Sequence, residues 1–156
     1  MGSIVSFSIS KISAERKNEN IGKVNITNNI SIKDVSDTKF AIGSSNQSGV
    51  KFSFVFATKY EPEAAEMLLE GNVLYMTEDS DAKKILSTWK KDKTIDTALT
   101  EAILNYVLDR CNIEALILSK EMNLPAPFPM PKVRTQEKAQ DKAPEKTVKT
   151  EKVQKK

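Results

Sequence analysis

The sequence predicts an α+β protein, a four-stranded antiparallel sheet followed by two helices. Apolar residues recur at every second position over four segments of the first half, the spacing of half-buried strands. Turn-forming clusters separate those segments. Beyond residue 78 the apolar spacing lengthens to that of a helix, and strands followed by helices make an α+β order.

The first strand is expected over Gly2–Arg16, where Phe7 and Ile9 alternate with Ser6, Ser8 and Ser10. In the second, Val24, Ile26, Ile30 and Ile32 alternate with Asn25, Thr27, Asn29 and Ser31. After the turn-rich Gly43–Gly49, the third carries Val50, Phe52, Phe54 and Phe56 at even positions. Glu61-Pro62-Glu63 breaks it from the fourth, in which Met67, Leu69, Val73 and Tyr75 alternate around Gly71, read as a bulge. Glu78-Asp79-Ser80-Asp81 supplies capping groups for a first helix with Ala82, Ile85, Leu86 and Trp89 on one face. Lys90, Lys91 and Lys93 suit its C-terminus, where cations complement the helix dipole. The second helix is expected over Thr94–Met122, its stripe running through Ile95, Leu99, Ala102, Ile103, Tyr106, Val107, Cys111, Ile117 and Leu118, with Asn112 a candidate break. Leu124–Pro131 alternates prolines and must leave as an extended, polyproline-like segment.

Charge divides the chain in two. Residues 132–156 hold nine Lys/Arg and four Asp/Glu, against 15 and 17 in residues 1–131. We therefore expect one α+β domain over 1–131, ending in the Pro-rich segment, and a disordered basic tail over 132–156. No apolar run approaches the ~20 residues of a membrane span, and the N-terminus lacks the pattern of a secretory signal. Together with a single cysteine, that predicts a cytoplasmic protein with no membrane partner. Met1-Gly2 with Ser6 fits the N-myristoylation pattern, but these residues read as strand.

Histidine is absent, which removes the commonest general base and most catalytic zinc sites. Cys111 lies on the apolar stripe and reads as structural, and no phosphate-cradling glycine motif occurs. Glu78, Asp79 and Asp81 read as helix-capping carboxylates before metal ligands or acid/base groups. The expectation is a binding protein, not an enzyme, with no cofactor and no metal.

The order of elements and several strings resemble the bacterial export chaperone SecB. Phe7-Ser8-Ile9-Ser10-Lys11-Ile12-Ser13-Ala14 resembles that family's opening strand, in which alternating apolar residues shift register by one. Residues 52–76 resemble its third and fourth strands, and Ala102–Met122 with Asn123-Leu124-Pro125 resembles its main helix and proline-containing exit. The likeness covers most of residues 5–131 as pattern rather than identity. It implies a homo-oligomer, since family members are tetramers paired through sheet and helix surfaces, holding unfolded polypeptides in apolar grooves. On that basis Phe40, Phe54, Phe56, Tyr60, Tyr75 and Trp89 would line a polypeptide-binding groove, although strand phenylalanines are more often core. The family's acidic tail and its transfer to the motor SecA are not matched by the basic tail here.

That tail supports another partner. Lys132, Arg134, Lys138, Lys142, Lys146, Lys149, Lys152, Lys155 and Lys156 recur every few residues, a pattern that binds phosphates without reading sequence. The primary expectation is therefore a ribosome-associated accessory protein, an archaeal-style one built on a SecB-like module, whose tail contacts rRNA. A chaperone holding non-native polypeptides is the alternative, and a tail that only solubilises the domain is a third reading.

Overall fold

The computed structural model describes residues 2–39 and 47–133. Four strands come first: β1 (Ser3–Arg16), β2 (Asn25–Thr38), β3 (Gln47–Glu61) and β4 (Ala65–Glu78). Two helices follow, α1 (Asp79–Asp92) and α2 (Thr97–Glu121). The strands form one antiparallel sheet in the order β1-β4-β3-β2, and the α+β expectation is borne out.

Both helices pack on the same face of the sheet, and the period-two pattern shows which. On β3, Val50, Phe52, Phe54, Phe56, Thr58 and Tyr60 are buried, while Lys51, Ser53, Val55 and Ala57 between them stay half-exposed. On β4 the inward set is Ala65, Met67, Leu69, Gly71 and Val73. Apolar inward positions on two central strands place the core between sheet and helices, as one-sided alternation requires. The β3–β4 turn falls at Glu61-Pro62-Glu63, with the Glu61–Pro62 bond cis and Glu63 at φ 35°.

Register shifts bend both edge strands. On β1 they fall at Ile4/Ser6 and Ile9/Lys11, and on β2 at Ile32/Asp34. The second shift on β1 moves the helix-facing set from Phe7 and Ile9 to Ile12 and Ala14, the change of phase visible in the sequence, although Ile12 stays exposed on that face. Gly71, expected to mark a bulge in its own strand, instead keeps register against Phe54, and the irregularity lies in its neighbour β1. A Cβ at Gly71 would stand 2.1 Å from the Ser8 carbonyl oxygen and 2.7 Å from Cζ of Phe54. Close packing of strand and ring, not a bulge, demands glycine here.

Helix α1 buries Ala82 and Trp89 and half-buries Ile85 and Leu86, the expected face. Its N-cap, Glu78, makes no side-chain capping bond; Asp79 and Asp81 instead place carboxylates in the first turn, and Asp79 accepts from the Ser48 hydroxyl. The helix ends at Lys93, where φ is 55° and the backbone N–H donates to Trp89 O. Asp96 caps α2, its carboxylate accepting from the Leu99 N–H at 3.3 Å. Helix α2 then runs without interruption past Asn112, so the candidate break is absent. Its buried line is Ile103, Val107, Cys111, Ala115 and Ser119, whereas Ala102 and Ile117, expected on that stripe, are exposed. An i, i+4 line drifts around a 3.6-residue helix, so the sheet meets different angular positions at its two ends.

Candidate functional site

Two regions carry surface that the core does not explain: the flank where α2 runs beside β1, and the end of the sheet crossed by the proline segment.

The flank is anchored at both ends. Phe7 of β1 stacks on Phe54 at 5.3 Å and meets Tyr106 of α2 edge-on at 6.1 Å. The Arg110 guanidinium lies 5.3 Å from the Phe7 ring and 4.8 Å from the Tyr106 ring, within reach of the attraction between a cation and an aromatic face. Farther along, Arg16 of β1 donates from one guanidinium nitrogen to the Met122 carbonyl at 2.9 Å. Helix α2 therefore follows β1 in the same direction. Positions 106, 110, 113 and 117 share one stripe at helical spacing, which carries Ile113 and Ile117 along this flank towards Ile12. Ile113 is 61% exposed, Ile117 48% and Ile12 52%. Beside them the outer edge of β1 has no partner strand among the described residues, and Lys11–Arg16 pairs with Ala65–Glu70 of β4 without a further break. An unpaired strand edge next to exposed isoleucines suits another extended chain.

At the end of the sheet, Arg16 also donates to the carbonyls of Asn18 (2.9 Å), Glu19 and Asn123 (3.4 Å). It ties the β1–β2 connection to the C-terminus of α2, where carbonyls lack helical partners. Asn123, at φ 52°, turns the chain, and Leu124 N–H donates to Ser119 O at 2.8 Å. The segment Leu124–Phe128 then crosses from the β1 side towards β3 and β2. There the Tyr60 hydroxyl donates to Pro125 O and Asn28 Nδ2 to Pro127 O, each at 2.7 Å. Thr58 Oγ1 donates to Asn28 Oδ1 at 2.7 Å and so fixes the amide's orientation. Leu124 and Pro127 are buried, Ala126 and Phe128 half-buried. A cleft of about 640 Å³ adjoins this strap, lined by Arg16, Glu19, Ile21, Leu124 and Pro125 among others.

The residues singled out from sequence distribute unevenly. Phe54, Phe56 and Tyr60 are core, and Trp89 is buried on α1 with Lys93 Nζ 5.2 Å above its ring. Tyr75 is half-buried, edge-on to Phe52, and its hydroxyl accepts from the Gly2 N–H at 3.1 Å. Among the described residues these aromatics do not gather into an open groove. Phe40 lies outside the described residues, as do Arg134, Lys138, Lys142, Lys146, Lys149, Lys152, Lys155 and Lys156; Lys132 is exposed. Burial pushes the Cys111 thiol up to about 11, helped by nearby Glu114, which keeps it protonated and unreactive at neutral pH. Burial likewise pushes the Tyr60 hydroxyl up to about 12, so it stays a donor to Pro125.

Sequence reasoning missed Ile12, Ile113 and Ile117 as surface, and Asn28 and Thr58 as a polar pair. Asn28 and Thr58 face each other across β2 and β3 and interrupt the apolar alternation of both strands at one level, a signal open to inspection. No described helix is long and apolar enough to cross a membrane.

No family model and no curated protein matches this sequence. Among solved structures, the chain is similar to the Mycobacterium tuberculosis Rv1957 SecB-like chaperone, in complex with a ChAD peptide from the Rv1956 HigA1 antitoxin. The similarity covers 85% of this chain and 90% of that one, at 12% identity and a TM-score of 0.46.

Proposed function

We propose that this protein is a non-catalytic polypeptide-binding protein of chaperone type. The observation that supports it is the flank: Ile12, Ile113 and Ile117 exposed beside the free edge of β1. An extended apolar segment laid along β1 would add backbone hydrogen bonds to the sheet while burying the three isoleucines, the economy of strand addition. The sequence resemblance to SecB points the same way. The absence of histidine and the buried Cys111 thiol support a role without covalent or acid–base chemistry. A ribosomal or rRNA role is supported only by the charge of residues 132–156, which lie almost wholly outside the described part of the chain.

Replacing Ile113 and Ile117 together by serine tests the flank. Neither side chain contributes to the core, so the variant should melt within a few degrees of the unaltered protein. Its ability to delay aggregation of a chemically unfolded client should fall at least fivefold. Undiminished protection by the folded variant would remove the flank from the function. A variant that protects normally but loses self-association in sedimentation would assign the flank to a second copy of the chain.

A further inference from the structure

We propose that the end of the sheet formed by Asn28, Thr58 and Tyr60 is a binding site for proline-rich segments of partner proteins, held closed in the isolated chain by its own Leu124–Phe128 strap. The site lies towards β2 and β3, away from the β1 flank, and does not depend on what that flank binds.

The strap is held as a peptide ligand is held, not as an element of the sheet. Two side-chain donors on adjacent strands, Tyr60 Oη and Asn28 Nδ2, read two of its backbone carbonyls two residues apart. The buried side chains are Leu124 and Pro127, three residues apart on a chain that bends at Pro127 and Phe128. Beyond Leu124 the strap makes no backbone–backbone hydrogen bond among the described residues. Proline suits this arrangement because it offers a carbonyl and no N–H, so a chain read through carbonyls alone leaves few donors stranded. Tyr60 and Thr58 are buried, and Thr58 fixes the Asn28 amide with its NH₂ outward. The receptor is therefore ordered by the sheet itself. Among the described residues, two hydrogen bonds beyond the one from Leu124 N–H to Ser119 O and two buried side chains retain the strap, and Asn123 at positive φ supplies a pivot at its base. A partner segment with prolines two residues apart presents the same carbonyls, and preorganisation of the site lowers the cost of binding it wherever the strap leaves.

The probe is a fluorescent peptide carrying the strap's own sequence, residues 123–131, and the readout is anisotropy. The full chain should bind it weakly. Leu124→Ser with Pro127→Ser loosens the strap and should tighten binding at least tenfold, and adding Asn28→Ala should abolish the gain. A peptide with alanine for every proline should bind at least tenfold more weakly. The proposal is overturned if the loosened, folded variant binds no better than the full chain, or if the alanine peptide binds equally. Should the double variant fail to fold, NMR of the unaltered chain decides: saturating peptide must shift the Asn28 side-chain amide and the Ala126 N–H, and unmoved signals overturn the proposal. Client protection, measured separately, reports on the flank alone.

Discussion

Phe54→Ala is expected to lower stability by about 3–5 kcal/mol, among the largest single effects in this chain. The ring sits mid-strand on β3, is essentially fully buried, stacks on Phe7 and fills the space left above Gly71. Truncation removes the transfer free energy of the ring and opens a cavity between strands too tightly paired to collapse into it. Gly71→Ala should cost about 2 kcal/mol or more on its own, as overpacking does when backbone cannot yield. The two changes should not rescue each other, because the nearest obstacle to a Cβ at Gly71 is the Ser8 carbonyl at 2.1 Å, which truncating Phe54 leaves in place. Urea unfolding of both single variants and the double variant checks this. A double variant more stable than Phe54→Ala would show that the ring, not the Ser8 carbonyl, makes residue 71 a glycine.

Stability should fall steeply above pH 9. Two buried groups are responsible: the Cys111 thiol, raised from 9.0 to about 11, and the Tyr60 hydroxyl, raised from 10.0 to about 12. Desolvation in the folded state opposes their anionic forms. Each group therefore holds its proton more tightly folded than unfolded. Its stabilising contribution is complete below the unfolded value and is lost as pH rises through the folded one. The thiol's part should disappear between about pH 9 and 11, the hydroxyl's between about pH 10 and 12. Both losses act in the same direction, so stability declines from about pH 9 upward. Denaturant melts from pH 7 to 11.5 should show the decline, and Cys111→Ala should remove the portion that begins near pH 9. Constant stability from pH 8 to 11 would contradict the assignment.

Much of the fold was legible because it depends on short-range spacing. The even-numbered run Val50–Phe56 gave the inward face of β3, and the phase change from Ile9 to Ile12 showed where β1 shifts register. What escaped depends on partners distant in sequence. Gly71 looked like a bulge because its obstacles, Ser8 and Phe54, come from neighbouring strands. Ile117 was placed on the buried stripe because spacing within a helix does not reveal how far the sheet extends beneath it. That the segment leaves the helix was evident from its prolines, but its bend at Pro127 and Phe128 and its docking, which joins Asn28 to Pro127 across 99 residues, were not. Phe54, Phe56, Tyr60 and Trp89, read as groove residues, are core instead, since in a small domain large apolar side chains are first claimed by the core.

Polypeptide binding is expected to reside in residues 2–133, and one measurement tests this directly. A chain ending at Val133 retains every described contact and lacks eight of the nine basic residues of segment 132–156. Its melting temperature should match that of the full chain within about a degree or two, because the removed residues carry too little apolar surface to offset their ordering entropy. Light scattering should then be followed while a chemically unfolded client is diluted into each protein at equal concentration. The account predicts equal suppression of aggregation by the full chain and by the chain ending at Val133. No suppression by either, with the full chain alone sedimenting with ribosomes at low salt, would contradict it and leave the basic tail as the functional part of the molecule.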